Sequence, residues 1–253
     1  DVVLEQGTRC DPKAMVAIAA GDRSDISVRR QPRVALLATG DELAEPGSAQ
    51  RTPYAIPDST SYALAALVER AGGVVSTRER GLDDLPALER QAGELLGSAD
   101  IVIVIGGASV GDRDFAKPMF APHGLALVFD RLAIKPGKPV WLGRAGARLV
   151  LGLPGNPSSA MVTARLFLVP ILERLQGGEG YHAWRDMPLA TPLPATGDRE
   201  TFTRAHWGQA GLEVLGNQDS GVQGGLARAD WLIRCPSSQA GLEAGNTVSA
   251  LLF

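Results

Sequence analysis

The sequence predicts an α/β fold: a doubly wound, mostly parallel sheet followed by a small all-β barrel domain. Three observations carry this reading. Apolar runs at 34–37, 101–105 and 149–151 read as buried strands and alternate with helical periodicities, the pattern of a parallel sheet covered on both faces. Each run ends in a glycine-marked break, ATGDEL at 38–43, GGASVGDRD at 106–114 and GLPGNPSS at 152–159. Beyond Tyr181, prolines at 188, 192 and 194 and short apolar runs replace the helical pattern, as in an all-β unit.

Residues 1–31 read as a lead-in, with 2–4 as a short strand, 13–20 as a short helix and 22–32 as an arginine-rich linker. Pro32 closes the linker because it cannot donate to a ladder. After the strand at 34–37, a helix over 62–71 places Ala63, Leu64, Leu67, Val68 and Ala71 on one face. Ser59 or Ser61 is expected to cap it, and Gly72-Gly73 to stop it. Val74 and Val75 begin a second strand. Asp83 or Asp84 is the expected cap of a helix to Leu96 that turns Leu88, Ala92, Leu95 and Leu96 inward. The strand at 101–105 precedes a short helix near 115–121 and a strand at 125–129. Strands at 140–142 and 148–153 flank a glycine-rich hairpin turn. Asn156 sets a capping side chain before Pro157, which suits a first helical turn. That helix extends to about Leu175, with Pro170 expected to kink or interrupt it. Residues 176–180 are a linker, so the division expected is 1–31, 32–178 and 181–253.

Composition narrows the function. The net charge of -3 gives no field for nucleic acid or a membrane surface. No stretch approaches the roughly 20 apolar residues that span a bilayer, and no signal peptide opens the chain. Cys10 and Cys235 match no metal or redox spacing. They read as packed thiols in a reducing, cytoplasmic setting.

In a parallel sheet, ligands bind beyond the carboxyl ends of the strands. Gly106, Gly107 and Gly111 would expose backbone N–H groups there, a cradle for phosphate, with Ser109 between them. Asp112 and Asp114 suit a divalent cation or a positioned water, and the plainer alternative is a tight turn with solvated carboxylates. Gly107-Ala-Ser109-Val-Gly111 also fits a hydrolase nucleophile elbow, with His123, His182 and His206 downstream. Pro118 and Asp112-Arg-Asp114 interrupt the long helix such an elbow needs. Arg131, Lys135 and Lys138 cluster around Pro136-Gly137, so a rigid turn presents three cations. Asn156, Ser158 and Ser159 stand at a helix start, an anion-friendly place. Thr39-Gly40-Asp41-Glu42 adds two adjacent acids after the first strand. Together these describe a crevice for a phosphate-bearing ligand, with acids for metal or water and lysines for anionic oxygens.

The strings TGDEL, GGxSVGDxDF, LAIKPGKP and GLPGNPxSA, in this order and spacing, resemble the molybdopterin molybdenumtransferase family, to which the gephyrin E domain also belongs. The resemblance covers the whole chain. It implies a molybdopterin-binding-like α/β fold, then a small β-barrel. It implies insertion of molybdenum from molybdate into adenylylated molybdopterin with release of AMP, Mg²⁺ as metal, a homodimer and contact with the molybdopterin adenylyltransferase. Carried over by position, Glu42, Asp83, Asp114 and Lys135 are the implied catalytic set, with Asp114 and Glu42 at the metal. Thr39, Gly40, Asp41, Gly106, Gly107, Ser109, Gly111, Arg131 and Lys138 would bind substrate. So would Pro154, Gly155, Asn156, Pro157 and Ser159. Phe202-Thr-Arg204-Ala and Gln218-Asp-Ser220-Gly resemble two further family strings, which gives Arg204 and Ser220 to tetrahedral molybdate, a fit for a guanidinium fork and a hydroxyl. Asp58-Ser-Thr stands where Asp-Ser-Asn is usual, and Arg131 where lysine is frequent. The family has a longer N-terminal region, of which 1–31 would be the last piece. A non-catalytic binding or scaffold module is the alternative expectation, and a serine hydrolase acting through Ser109 a weaker one.

Overall fold

The computed structural model describes residues 2–51, 53–107, 115–221 and 223–253. Residues 2–4 form no strand; Val2 and Val3 lie exposed, with no sheet edge beside them to supply partners. Helix α1 (Pro12–Ala20) is capped by Asp11, which accepts from the Ala14 N–H at 2.9 Å. The apolar run at 34–37 extends to β1 (Arg33–Thr39). Beyond it β2 (Leu43–Ala44) and β3 (Ile56–Pro57) form a short parallel pair. Helix α2 (Thr60–Arg70) is not capped by Ser59 or Ser61. Ser59 has helical backbone angles, whereas Asp58 reaches in and accepts from the Ser61 N–H at 3.1 Å. β4 (Val74–Gly81) and α3 (Leu85–Ser98) follow, and Asp84 is the α3 cap, accepting from the Ala87 N–H. Next comes β5 (Ile101–Ile105), every residue of it buried. The helix expected near 115–121 is a 3₁₀ turn over Pro118–His123, because Pro118 and Pro122 lack the N–H groups an α-helix requires.

β6 (Leu125–Phe129), the two-residue β7 (Ile134–Lys135), β8 (Trp141–Ala145) and β9 (Arg148–Leu153) complete the α/β unit. Its sheet runs β4-β1-β5-β9-β8-β6. The first four strands are parallel, and β8 is antiparallel to both neighbours. Alternation along the strands splits the core. Val34, Leu36, Ile101, Ile103 and Leu151 face α2 and the last helix, while Ala35, Leu37, Val102, Val104 and Val150 face α3 and the 3₁₀ turn. That helix consists of α4 (Pro157–Thr163), a π-helical turn over Ala164–Leu168 and α5 (Val169–Leu175). The π turn is how Pro170 is accommodated: its ring cannot sit against the carbonyl four residues back in a regular helix.

Beyond a linker, β10 (Arg185–Pro188), β11 (Glu200–Trp207), β12 (Leu212–Val214), the short α6 (Gln223–Ala227), β13 (Trp231–Cys235) and β14 (Thr247–Leu252) form the all-β part. Its order is β10-β14-β13-β11-β12, antiparallel throughout. The expected barrel is not a closed ladder. A single bridge, Leu189 to Leu212, joins the two ends. β10 stops at Pro188 and Pro192 follows, and neither has a donor with which to continue pairing. Phe202, Leu232 and Leu251 also enter the core beneath α4, so the two parts share apolar packing.

Candidate functional site

The sheet order places β1 between β4 and β5, so chain connections leave β1 in opposite directions, and a crevice opens at such a switch point. The three glycine-marked strand ends meet there. The Gly106 N–H donates to Leu153 O at 3.1 Å, and the Thr39 hydroxyl donates to Ile105 O at 3.4 Å. Gly106 has φ +91°, and a Cβ on it would stand 2.9 Å from Thr39 O; only glycine lets the β1 and β5 ends approach this closely. A Cβ on Gly155 would be 3.4 Å from the Gly106 Cα. Thr39, Gly106, Gly107, Pro154 and Gly155 are therefore neighbours, as the sequence led us to expect. Ser109, Gly111 and Asp114, with Asp112, lie outside the described residues.

The acids line the β1 side. Asp41 accepts from the Asp83 N–H at 3.0 Å, tying the loop after β1 to the loop after β4. The Glu42 carboxylate folds back over Gly40, its oxygens 2.7 Å from where a Cβ there would stand. Both Asp41 and Glu42 are exposed. Carboxylate oxygens are the hard donors that Mg²⁺ takes. Among the described residues, however, no three such groups converge on one point.

The lysine turn is fastened at both ends. β7 pairs in parallel with the start of β11, matching Ile134 to Glu200 and Lys135 to Thr201. The turn closes on itself through Leu132 N–H to Lys138 O, 3.1 Å, and Val140 N–H to Gly137 O, 3.0 Å. Gly137, φ +106°, lies so close to α4 that a Cβ would stand 2.2 Å from the Thr163 Cγ2. Lys135 and Lys138 project into solvent from this anchored backbone. Arg131 is also exposed and pairs with Asp130 at 3.6 Å, and Lys117 bonds the same carboxylate. Both cations hold the Asp130 carboxyl below its usual range, Lys117 chiefly through its hydrogen bond. Lys117 was not singled out in the sequence, since nothing local marks its partner thirteen residues on.

The start of α4 departs from expectation. Asn156 has the extended backbone of a cap, but its side chain caps nothing, and its Oδ1 is buried without a hydrogen-bond partner. Ser158 and Ser159 are buried in the first turn. Ser158, not Ser159, makes the notable contact: its Oγ accepts from Arg204 Nη1 at 2.9 Å. Arg204 on β11 is 1% exposed. Its Nη2 donates to Asn217 O at 3.2 Å and to Asp219 O at 2.9 Å. Among the described residues it makes no salt bridge; burial pushes the guanidinium pKa down, with the Asp219 charge opposing. Ser220 lies in the same loop. Helix α4 is thus the hub, touching the strand ends through 154–156, the lysine turn through Thr163 and the β part through Ser158.

Glycine-bearing strand ends that meet at a switch point of a mostly parallel sheet, followed by an all-β part, define an α/β protein of the doubly wound class. The chain belongs to the family described as the probable molybdopterin binding domain, whose model matches residues 35–174. Residues 186–253 match the MoeA C-terminal region, domain IV. The molybdopterin molybdenumtransferase of Haemophilus influenzae is 31% identical over 259 residues, covering 98% of this chain and 63% of that protein. The enzyme of the same name from Nostoc sp. is also 31% identical, covering 98% of this chain and 59% of its own length. Among solved structures, a molybdopterin biosynthesis moea protein from Pyrococcus horikosii superposes with TM-score 0.84 at 26% identity, over 98% of this chain and 61% of that one. The chain therefore spans about three-fifths of the length of these relatives. None of them favours a hydrolase.

Proposed function

We propose that this chain carries the substrate-binding and reacting part of a molybdopterin molybdenumtransferase, inserting molybdenum from molybdate into adenylylated molybdopterin and releasing AMP. One observation carries the reading furthest. Among the described residues no carboxylate forms an ion pair with the buried Arg204 guanidinium, and the Asp219 charge offsets its desolvation only in part; a buried charge left without a partner costs several kcal/mol. To the described residues the Arg204 side chain donates three hydrogen bonds, and a tetrahedral oxyanion would take further N–H groups of the five and supply the missing charge. Arg204 and Ser220 would hold molybdate.

The other roles follow from placement. Thr39, Gly40, Gly106, Gly107, Ser109, Gly111 and the 154–157 loop would receive the phosphate end of the pterin nucleotide at the strand ends. The buried, unpaired Asn156 Oδ1 is an acceptor suited to a ligand N–H. Lys135 and Lys138, held on a backbone that cannot swing away, would neutralise the pyrophosphate as AMP leaves, assisted by Arg131. Asp41, Asp83, Glu42 and Asp114 would order water or Mg²⁺, which when bound would supply charge neutralisation at phosphate oxygens. Residues 32–178 would form the pterin-binding domain and 181–253 the domain closing over it. We further propose a cytoplasmic homodimer that receives its substrate from the molybdopterin adenylyltransferase. No helix of the described residues is long and apolar enough to cross a membrane, and the net charge of -3 offers nothing to nucleic acid. The test is AMP production from adenylylated molybdopterin by this chain, with and without molybdate. Molybdate-dependent release supports the proposal, and its absence removes the assignment of turnover to these residues.

A further inference from the structure

One edge of β11 is covered by β13, and the other is divided. β7 pairs with Glu200 and Thr201 at its start, and β12 with residues 205–207 at its end. Arg204 falls between these two ladders. On that edge the Leu215 N–H donates to Arg204 O at 3.1 Å, and a side chain completes the pairing. The Arg204 N–H donates to Gln218 Oε1 at 3.0 Å, and Gln218 Nε2 donates back to Arg204 O at 2.9 Å. The second hydrogen of Nε2 goes to Leu215 O at 2.7 Å. A carboxamide that accepts from one residue's N–H and donates to the same residue's C=O reproduces an antiparallel hydrogen-bonded pair.

This docking has a consequence for the side chain. The loop that Gln218 fastens is the one whose carbonyls, Asn217 O and Asp219 O, grip Arg204 Nη2. We infer that Gln218 is a positioning residue for the anion site: by clamping the 215–219 loop to the backbone of Arg204, it sets the plane in which the guanidinium presents its remaining N–H groups. The inference rests on the reading of Arg204 as an anion ligand. The loop has turns of its own, Asn217 Oδ1 accepting from the Asp219 N–H and Asp219 Oδ1 from the Gly221 N–H, both at 2.8 Å. Without the Gln218 amide the loop keeps the Leu215 N–H to Arg204 O bond at 3.1 Å and its own turns, so its seat on Arg204 loosens without being unmade. Gln218 is half-buried at the surface, not part of a core cluster.

The experiment is a calorimetric titration of the 253-residue chain with molybdate, using Gln218→Met, Arg204→Lys and the double variant. Methionine keeps the length and apolar stem and removes all three hydrogen bonds. Gln218→Met is expected to weaken molybdate binding about tenfold, the worth of one charge-assisted hydrogen bond, and to lower the melting temperature of a chain that still folds, since the Arg204 N–H loses its acceptor. In the Arg204→Lys background, where no fork remains to aim, the same substitution is expected to change affinity by less than about twofold. Wild-type affinity in Gln218→Met, or the same loss in both backgrounds, overturns the inference. If the wild-type chain binds no molybdate, the reading of Arg204 itself falls and this inference with it. Gln218→Ala is the second variant; failure of both to fold at ambient temperature would make Gln218 structural and also overturn the positioning role.

Discussion

Replacing Gly137 with alanine imposes two costs that can be measured separately. The first is conformational. At φ +106° a residue with a Cβ is strained by about 1–2 kcal/mol. The second is steric. The new methyl would stand 2.2 Å from Thr163 Cγ2, far inside the roughly 3.5–4.0 Å of a good carbon–carbon contact. Forcing a methyl into such a space typically costs about 1–3 kcal/mol. The expected total is about 2–5 kcal/mol. Thr163→Ser removes Cγ2 and keeps the hydroxyl that donates to Ser159 O at 2.7 Å and Ala160 O at 3.1 Å. In that background Gly137→Ala should retain only the conformational part, about 1–2 kcal/mol. Urea unfolding of the four proteins supplies the cycle. An equal cost in both backgrounds, or a cost below about 0.5 kcal/mol in the native one, would refute the claim that the lysine turn is seated on α4 through this contact.

Two further outcomes concern the frame that holds the site. Asp100 anchors the linker to the sheet through Arg30 at 2.6 and 2.7 Å, the Arg33 N–H at 2.9 Å and Arg148 at 3.2 Å. Its pKa is lowered to about 2 from 3.8, chiefly by the Arg30 hydrogen bond. The stabilisation is therefore complete above about pH 5 and lost as pH falls through 2 towards about 1. Because Arg30 is 68% exposed, solvent screening reduces it to about 1–2 kcal/mol. The stability gap between wild type and Asp100→Asn should narrow over that interval in a pH series of thermal melts; a gap undiminished at about pH 1 refutes it. Asp58→Ala should cost about 1–3 kcal/mol, since it removes the α2 cap and leaves Arg78, 3.8 Å away, without its buried partner. Ser59→Ala should be nearly silent in the same denaturant assay, and the reverse ranking would contradict the cap assignment.

The strands beneath the crevice were legible because burial on both faces forces unbroken apolar runs, as at 101–105. The glycine breaks were legible because close approach at Gly106 admits no other residue. Sequence reading failed where a neighbour remote in the chain decides the outcome. β7 is two residues long and exists only because β11 pairs with it. Asn156 looks like a cap, yet its side chain makes no hydrogen bond to the α4 amides it was expected to cap. Arg204 was expected to hold molybdate on the strength of a family string alone; its burial against Ser158 and two loop carbonyls was not foreseen. No pattern in 201–205 reports that, because its partners lie 13 to 46 residues away.

The central claim is that the buried Arg204 guanidinium, which makes no salt bridge among the described residues, receives molybdate during turnover. Its most direct measurement is molybdate-dependent AMP release from adenylylated molybdopterin by wild type and Arg204→Lys. The account predicts release by the wild-type chain that saturates with molybdate. It also predicts that Arg204→Lys, which keeps the charge and loses the fork, needs at least about tenfold more molybdate for half-maximal release. Identical molybdate dependence in the two proteins would contradict it.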